Sequence, residues 1–429
     1  MEKFFRLQEN NTNIRTEVNA GFTTFLTMLY IIVVNPAILS AAGVPSGQVF
    51  MATIISAIVG TGLMALLANY PIAIAPGMGL NAYFVTVVME NGFSYDIVFG
   101  AVFVAGVLFL ALSLTSIREM LIEAIPNSLK FGITSGIGLF IAFLGLKFAG
   151  IIVPSETNMV TLGDLQAPTT ILAIAGLFIT LTLMARNVKG ALFFGMIATA
   201  IIAMFMGDLK FEGVVSAPPM PTFFDMNLAG VFSEGLFAVV FAFLLVTIFD
   251  TTGTLIGVAE QANFMKNGKL PKAKSALMAD AVATTVGSTL GTSPSTAYIE
   301  STSGVTAGGR TGLTSLVVAG LFFVSMFFSP FIGAIAGVSA ITAPVLIIVG
   351  CFMMEGLSRV DWRTFDEAFP AFIIILTMPL TSSIATGIAM GFITYPLLKL
   401  VSGKGKQVHW LLYVFGFLFL IQLVFFPMH

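Results

Sequence analysis

Two carboxylates stand in stretches that otherwise exclude charge. Asp250 interrupts "LLVTIFDTTGTL" (244–255) and Glu300 lies within "SPSTAYIEST" (293–302), in a chain of 429 residues that is 57% hydrophobic and 9% charged. Acids in apolar membrane segments are costly to keep ionised, so they face one another, a partner or a wet cavity, and they mark a pathway for a solute or a proton. A carboxylate accepts two N–H groups in a bidentate pair, and burial lets it hold a proton that it would release in water. The bland reading of either acid is a structural hydrogen bond to a neighbouring helix that never titrates. Asp280 in "LMADAVATT" (277–285) lies closer to the cytoplasmic end and reads equally as a structural or gating residue, while Glu90, Glu234 and Glu260 read as span ends. The count of other groups is restrictive. The two histidines, His409 and His429, are both near the C-terminus, which leaves no His-based triad, zinc or haem cluster, or imidazole relay inside the apolar region. No metal or cofactor is expected. The single cysteine, Cys351, excludes an intramolecular disulfide, and its setting in "IIVGCFMM" reads as inert packing. "SGKGKQ" (402–407) lacks the P-loop spacing and reads as a basic patch facing membrane lipid, so no nucleic-acid partner is expected.

The elements that must position these acids are membrane helices. Soluble domains carry about a quarter charged residues, and a bilayer core about 30 Å thick needs roughly 20 apolar residues per helix. A β-barrel would instead show alternating segments of about ten residues. Apolar segments fall at 17–41, 48–69, 72–90, 95–117, 127–152, 168–185 and 189–206. After a polar connection they resume at 234–259, 273–291, 293–309, 311–335, 339–355, 367–380 and 382–401. That is seven and seven, with a further apolar stretch near 409–427 that either crosses or lies peripherally. Residues 1–16 read as a retained cytosolic lead-in, because they lack a secretory signal pattern. With the N-terminus inside, the inner connections collect Arg118, Arg186, Lys189, Lys266, Lys269, Lys272, Lys274, Arg310, Arg359, Arg363, Lys399, Lys404 and Lys406, whereas the outer ones hold essentially Lys210. Lys147 is placed to snorkel from an outer span end.

Seven is odd, so two seven-span halves run oppositely, which is the arithmetic of an inverted repeat. A short echo agrees: "NAY" at 81–83 and "TAY" at 296–298 are 215 residues apart, and the same offset carries Asn35 onto Asp250. The third segment, "YPIAIAPGMGLNAYFVTVVM", and the tenth, "GTSPSTAYIESTSGVTAGG", are too rich in Pro, Gly and hydroxyls for continuous lipid-facing helices. Each is expected to be a short strand followed by a half-helix, starting near Gly79 and Ser295 in the middle of the bilayer. Their free N–H groups would form a polar floor with Asn81, Ser295 and Thr296, and Glu300 would sit on the first turns of the second half-helix. Phe84, Phe249 and Tyr298 are the aromatic candidates for stacking. Asn35, next to Pro36, either satisfies backbone freed by the proline or sits near the site. "GITSG" (132–136) and "GIAMG" (387–391) read as helix packing.

At "FDTTGT", "APGMGLNAY" and "TAYIEST" the chain resembles the nucleobase/ascorbate transporter family, and more closely its purine permease branch of the azaguanine-resistance type, which takes up guanine, hypoxanthine or adenine. The likeness runs from "FFRL" through "VNPAIL" to the end of the membrane region. It implies an all-α integral membrane protein of 14 segments in two inverted seven-helix repeats, with broken segments 3 and 10. The implied parts are 1–16 cytosolic, 17–117 and 234–335 core domain, 118–206 and 336–401 gate domain, 207–233 extracellular, and 402–429 a C-terminal segment with an extra helix. By the resemblance, Asp250, Tyr298 and Glu300 match the acid and the Tyr-x-Glu that hold the base in uracil permeases, and Gly79 and Asn81 match the third-span motif of the purine branch. Thr254 stands where uracil permeases carry a histidine, in keeping with the scarcity of His.

The resulting expectation is proton symport of a purine nucleobase, guanine or hypoxanthine, by elevator movement of the core domain. Gly79, Asn81, Phe249, Asp250, Thr296, Tyr298 and Glu300 would bind substrate, and Glu300 or Asp250 would carry the proton. Adenine is the alternative substrate, and an anion exchanger or channel of the same fold is the rival class. An enzyme is disfavoured, since no nucleophile with a base, metal cluster or cofactor motif is present. A plasma-membrane location is expected, and the resemblance allows a homodimer through the gate domain.

Overall fold

The structure is a computed structural model that describes residues 2–115, 124–155, 159–209, 213–262, 264–265 and 270–425. Arg118, Lys210, Lys266, Lys269 and His429, used in the charge and histidine arguments, lie outside them, as do residues 116–117 of the fourth segment and the end of the 409–427 stretch. The helices of the first half are α1 (Glu2–Phe5), α2 (Ile14–Met28), α3 (Ile31–Ser40), α4 (Ser46–Leu63), α5 (Met78–Asn91), α6 (Tyr95–Leu114), α7 (Asn127–Phe148), α8 (Pro168–Ala185) and α9 (Ala191–Met206). There follow α10 (Leu228–Ser233), α11 (Phe237–Gln261), α12 (Ala273–Leu290), α13 (Ser301–Thr306), α14 (Gly312–Ser325), α15 (Ser329–Ala336), α16 (Ser339–Met353), α17 (Phe365–Leu380), α18 (Ile384–Val401) and α19 (Trp410–Phe425). Among the described residues, nine helices are long and apolar enough to cross a membrane. Among the described residues there are also four short strands: β1 (Ile74–Pro76), β2 (Ile152–Ser155), β3 (Met159–Leu162) and β4 (Ser295–Ala297).

Helix packing falls into two groups. In one, α12 lies against α4 and α6, and α14 lies against α2 and α4; in the other, α7 lies against α16 and α17, and α8 against α9 and α16. Without a hydrophobic drive between helices in lipid, small residues set how closely they approach. Both glycine motifs meet α17: a Cβ at Gly132 would strike Ala371, one at Gly136 would strike Met378, and those at Gly387 and Gly391 would strike Met378 and Ile374. The packing interpretation of those motifs therefore holds.

Several segments differ from the sequence reading. The first span is two helices, α2 and α3, parted at Leu29–Tyr30 one turn before the carbonyl that Pro36 cannot bond. The eleventh is α14 and α15 joined by a 3-10 turn, with Pro330 setting the start of α15. Residues 152–155 and 159–162, read as a span end and loop, pair as the antiparallel strands β2 and β3. The C-terminal apolar stretch gives a helix from Trp410 to Phe425, the last described residue; Phe415 and Phe419 pack on Phe241 and Phe392.

Two charged devices hold helices in place. Glu17 on α2 is fully buried, and its carboxylate accepts the backbone N–H groups of Arg310 (2.9 Å), Thr311 (3.2 Å) and Thr314 (3.2 Å) and the Thr314 hydroxyl (2.7 Å). It thus caps the N-terminus of α14 from another helix, where orphan donors and the positive dipole end favour an anion. Lys399, counted by sequence among the inner connections, instead lies within α18 and is buried. It pairs with Glu367 at 2.6 Å and Asp366 at 3.3 Å, because those acids open the adjacent helix α17.

Candidate functional site

The third and tenth segments meet in the interior. β1 pairs antiparallel with β4, with Ile74 opposite Ala297, Ala75 opposite Thr296 and Pro76 opposite Ser295, and every residue of both strands is buried. Two backbone bonds extend the ladder, Gly77 N–H to the Pro294 carbonyl and Tyr298 N–H to the Ala73 carbonyl, each 2.9 Å. A two-stranded sheet leaves both outer edges unpaired, and no water in a bilayer core would satisfy them. Hydroxyls from neighbouring helices do so. Thr61 accepts from the Ile74 N–H and donates to the Ile74 carbonyl, both at 2.9 Å; Thr284 accepts from Ser295 N–H at 3.0 Å; Ser301 accepts from Ala73 N–H at 3.0 Å; and Thr251 accepts from Ala297 N–H at 3.3 Å. The Ser56 and Ser295 hydroxyls are 2.7 Å apart.

Beyond the strands the two segments diverge. β1 runs through Gly77 into the 14-residue α5, whose first turn contains Gly79. β4 leads through Tyr298 and Ile299 to a six-residue helix, α13, with Glu300 as its N-cap residue. This corrects the sequence reading: the second half-helix begins at Ser301, not near Ser295, and Glu300 precedes its first turn. The physical reason is the ladder, since a backbone paired through Tyr298 cannot also be helical there.

The candidate residues take distinct places. Gly79 faces the other helix group: a Cβ there would lie 2.3 Å from Cγ2 of Ile137 on α7. Asn81 is buried; its Oδ1 accepts from the Ser293 hydroxyl, while its Nδ2 has no partner among the described residues. Asn35 donates through Nδ2 to Thr53 (2.7 Å) and Thr292 (2.8 Å), so it ties α3 to the residues just before β4 rather than serving backbone freed by Pro36. Phe249 is buried on α11 beside the half-buried Asp250, whose carboxylate lies close to the Thr296 hydroxyl. The Tyr298 hydroxyl donates to the Pro76 carbonyl at 2.6 Å, stapling the end of β4 to the end of β1. Phe84 stacks in the interior against Phe99, 4.7 Å between centroids.

Glu300 is the acid that reaches open space. It lines a cavity of about 530 Å³ whose one wall is Thr27, Ile299, Glu300, Thr302 and Ser303, and whose other includes Leu192, Cys351, Phe352 and Glu355 from the second helix group. Among the described residues the lining contains two acids and no Lys or Arg. Asp250, Gly79, Asn81, Phe249, Thr296 and Tyr298 do not line this cavity, although Asp250 is close enough to Glu300 for their charges to act on each other. Cys351 was expected to be packed and inert; it is exposed and forms part of the cavity wall, because this face of α16 turns toward Glu300.

Sequence reasoning missed three partners. Tyr30, at the break between α2 and α3, donates to Glu300 Oε1 at 2.5 Å. Ser293 holds Asn81, and Thr251 donates to Asp280 Oδ2 at 2.5 Å. Asp280 is fully buried, so its place is behind the strands and not at a helix end near solvent. The proline-bearing "VNPAIL" was the only local signal for a break near Tyr30.

Comparison with known proteins gives the family. The profile of the Permease family matches residues 15–390. The chain is 60% identical to guanine/hypoxanthine permease PbuO of Bacillus subtilis strain 168, over 98% of this chain and 99% of that one. It is 44% identical to adenine permease AdeP of Escherichia coli K12, over 100% and 97%. Its fold is similar to the transmembrane domain of the cyanobacterial bicarbonate transporter BicA, with a TM-score of 0.67 and 18% identity over 88% of this chain and 97% of that one. The chain therefore belongs to the Permease family and is a mostly helical, multi-pass membrane transporter, not an enzyme.

Proposed function

We propose that this protein imports a purine nucleobase, guanine or hypoxanthine, by proton symport across the plasma membrane, with its N-terminus in the cytoplasm. The observation that carries the reading is Glu300. Its carboxylate stands at the start of a half-helix beside two paired strands, faces a cavity of about 530 Å³, and meets no Lys or Arg among the described residues of the cavity lining. That volume lies within the ~300–1,000 Å³ usual for small-molecule sites. A flat, nearly neutral base with adjacent N–H groups suits a carboxylate that can accept two of them. An anion would meet the Glu300 carboxylate, while Glu355 across the cavity is paired with Arg359 at 3.5 Å, so the rival reading as a bicarbonate or other anion carrier rests on fold alone.

Asn81, Phe249, Asp250, Thr296 and Tyr298 complete the proposed binding region, with Gly79 beside it where α5 closes on Ile137. Asp250 and Glu300 are the proposed proton carriers, since a proton taken from outside removes the cost of moving a bare charge through the membrane. The fourteen-segment inverted repeat supplies two domains. The two helix packing groups support a core of 17–117 and 234–335 that travels against a gate of 118–206 and 336–401, the gate also offering a homodimer surface. The name of PbuO favours guanine and hypoxanthine; that of AdeP keeps adenine as the alternative.

Uptake of radiolabelled guanine by cells carrying Glu300→Gln is the test. Loss of uptake, with protein still at the membrane, is expected. Undiminished uptake that still follows the proton gradient would retire the assignment. Competition with unlabelled hypoxanthine and adenine ranks the bases.

A further inference from the structure

Glu300 carries a long side chain with three rotatable bonds, and a carboxylate that must meet a flat ligand edge gains from being held in one orientation beforehand. Two tyrosines stand close to it. The Tyr298 hydroxyl is committed to the Pro76 carbonyl. The other, Tyr30, is 1% exposed and directs its hydroxyl to Glu300 Oε1 at 2.5 Å. It stands at the junction of α2 and α3, where the backbone stays right-handed helical but tightens, with the N–H groups of Ile32 and Val33 bonded to the carbonyls of Leu29 and Tyr30. One turn earlier on the same span, the Thr27 hydroxyl approaches the Glu300 backbone carbonyl at 3.4 Å and also lines the cavity. The Thr27 hydroxyl is nearer the Thr24 carbonyl, at 2.8 Å, so the first span holds Glu300 chiefly at its side chain, through Tyr30.

We propose that Tyr30 is the positioning residue of the Glu300 carboxylate: its hydroxyl fixes one oxygen and leaves the remaining lone pairs of the group turned to the base. The idea rests on the purine reading of the same cavity. A carboxylate has about four acceptor positions, so one donor from Tyr30 leaves room for two from a ligand. The phenol O–H can donate to the ionised carboxylate and equally to the carbonyl oxygen of the protonated acid, so the grip persists while a proton comes and goes. The device couples the break in the first span to the binding acid 270 positions away.

Tyr30→Phe removes one hydroxyl and keeps the ring. A hydrogen bond to a charged group lost from a buried site predicts a KM for guanine uptake raised about tenfold, with Vmax and the melting temperature of the purified protein retained. A lower Vmax or melting temperature with KM unchanged would mean that Tyr30 is only structural and would overturn the proposal, as would a KM equal to wild type. Difference infrared spectroscopy of the purified full chain supplies a readout that needs no substrate. The carboxyl band that disappears in Glu300→Gln should shift in Tyr30→Phe, and an unmoved band refutes the contact. Absence of guanine, hypoxanthine and adenine uptake by wild type would defeat the transport reading instead, which the infrared band distinguishes.

Discussion

Gly79 offers the sharpest discrimination between two physical roles. Either its missing side chain lets a ligand approach the start of α5, or it lets α5 approach α7. The structure favours the second, because a Cβ at Gly79 would lie 2.3 Å from Cγ2 of Ile137. Carbon atoms rest about 3.5–4 Å apart, so Gly79→Ala must displace Ile137 or one helix by more than about 1 Å. Overpacking of this kind costs about 1–3 kcal/mol, and each 1.4 kcal/mol is a factor of ten in an equilibrium. Uptake of labelled guanine by Gly79→Ala should therefore fall by roughly ten- to a hundredfold if the two helix groups must pass through this contact. Ile137→Ala removes the opposing methyl and leaves a gap of its own. The two changes fill each other's defect, so the double variant should transport better than Gly79→Ala alone and better than the product of the single effects. Uptake in proteoliposomes, with melting temperatures as a parallel measure, reads all four proteins. Full activity in Gly79→Ala, or a double variant no better than multiplied single effects, would refute the packing argument and return Gly79 to ligand contact.

Further outcomes follow from the devices around the site. Glu17→Ala should lower the melting temperature strongly, by the equivalent of about 3–5 kcal/mol, because it strands three backbone donors of α14; Glu17→Gln should cost less, and thermal unfolding in detergent measures both. Thr61→Val keeps the shape but leaves the Ile74 N–H and carbonyl without Thr61, for a loss of about 1–3 kcal/mol, whereas Thr61→Ser should be near wild type in the same assay. Cys351 should react with a membrane-permeant maleimide, and guanine should slow the reaction, since both share one cavity; labelling unaffected by saturating guanine would place the base elsewhere.

The sequence by itself determined the membrane class, since 9% charge over 429 residues leaves no soluble alternative. It also located the two interruptions, because Pro76 with Gly77, and Pro294 amid glycines and hydroxyls, together disfavour a continuous lipid-facing helix. These are local properties of backbone and hydropathy. Local chemistry placed the start of the second half-helix six residues early, near Ser295 instead of Ser301, because Ser295–Ala297 is held extended by β1, a partner more than 200 residues away. The same limit applies to the site. That Asp250 and Glu300 are unusual is visible in the chain. That Glu300 alone of the two reaches the large cavity, that Tyr30 holds it, that Ile137 crowds Gly79, and that Cys351 stands on the facing wall depend on which helix faces meet. Only the tertiary structure decided those, since in lipid small-residue packing and buried hydroxyl partners, not hydropathy, select the faces.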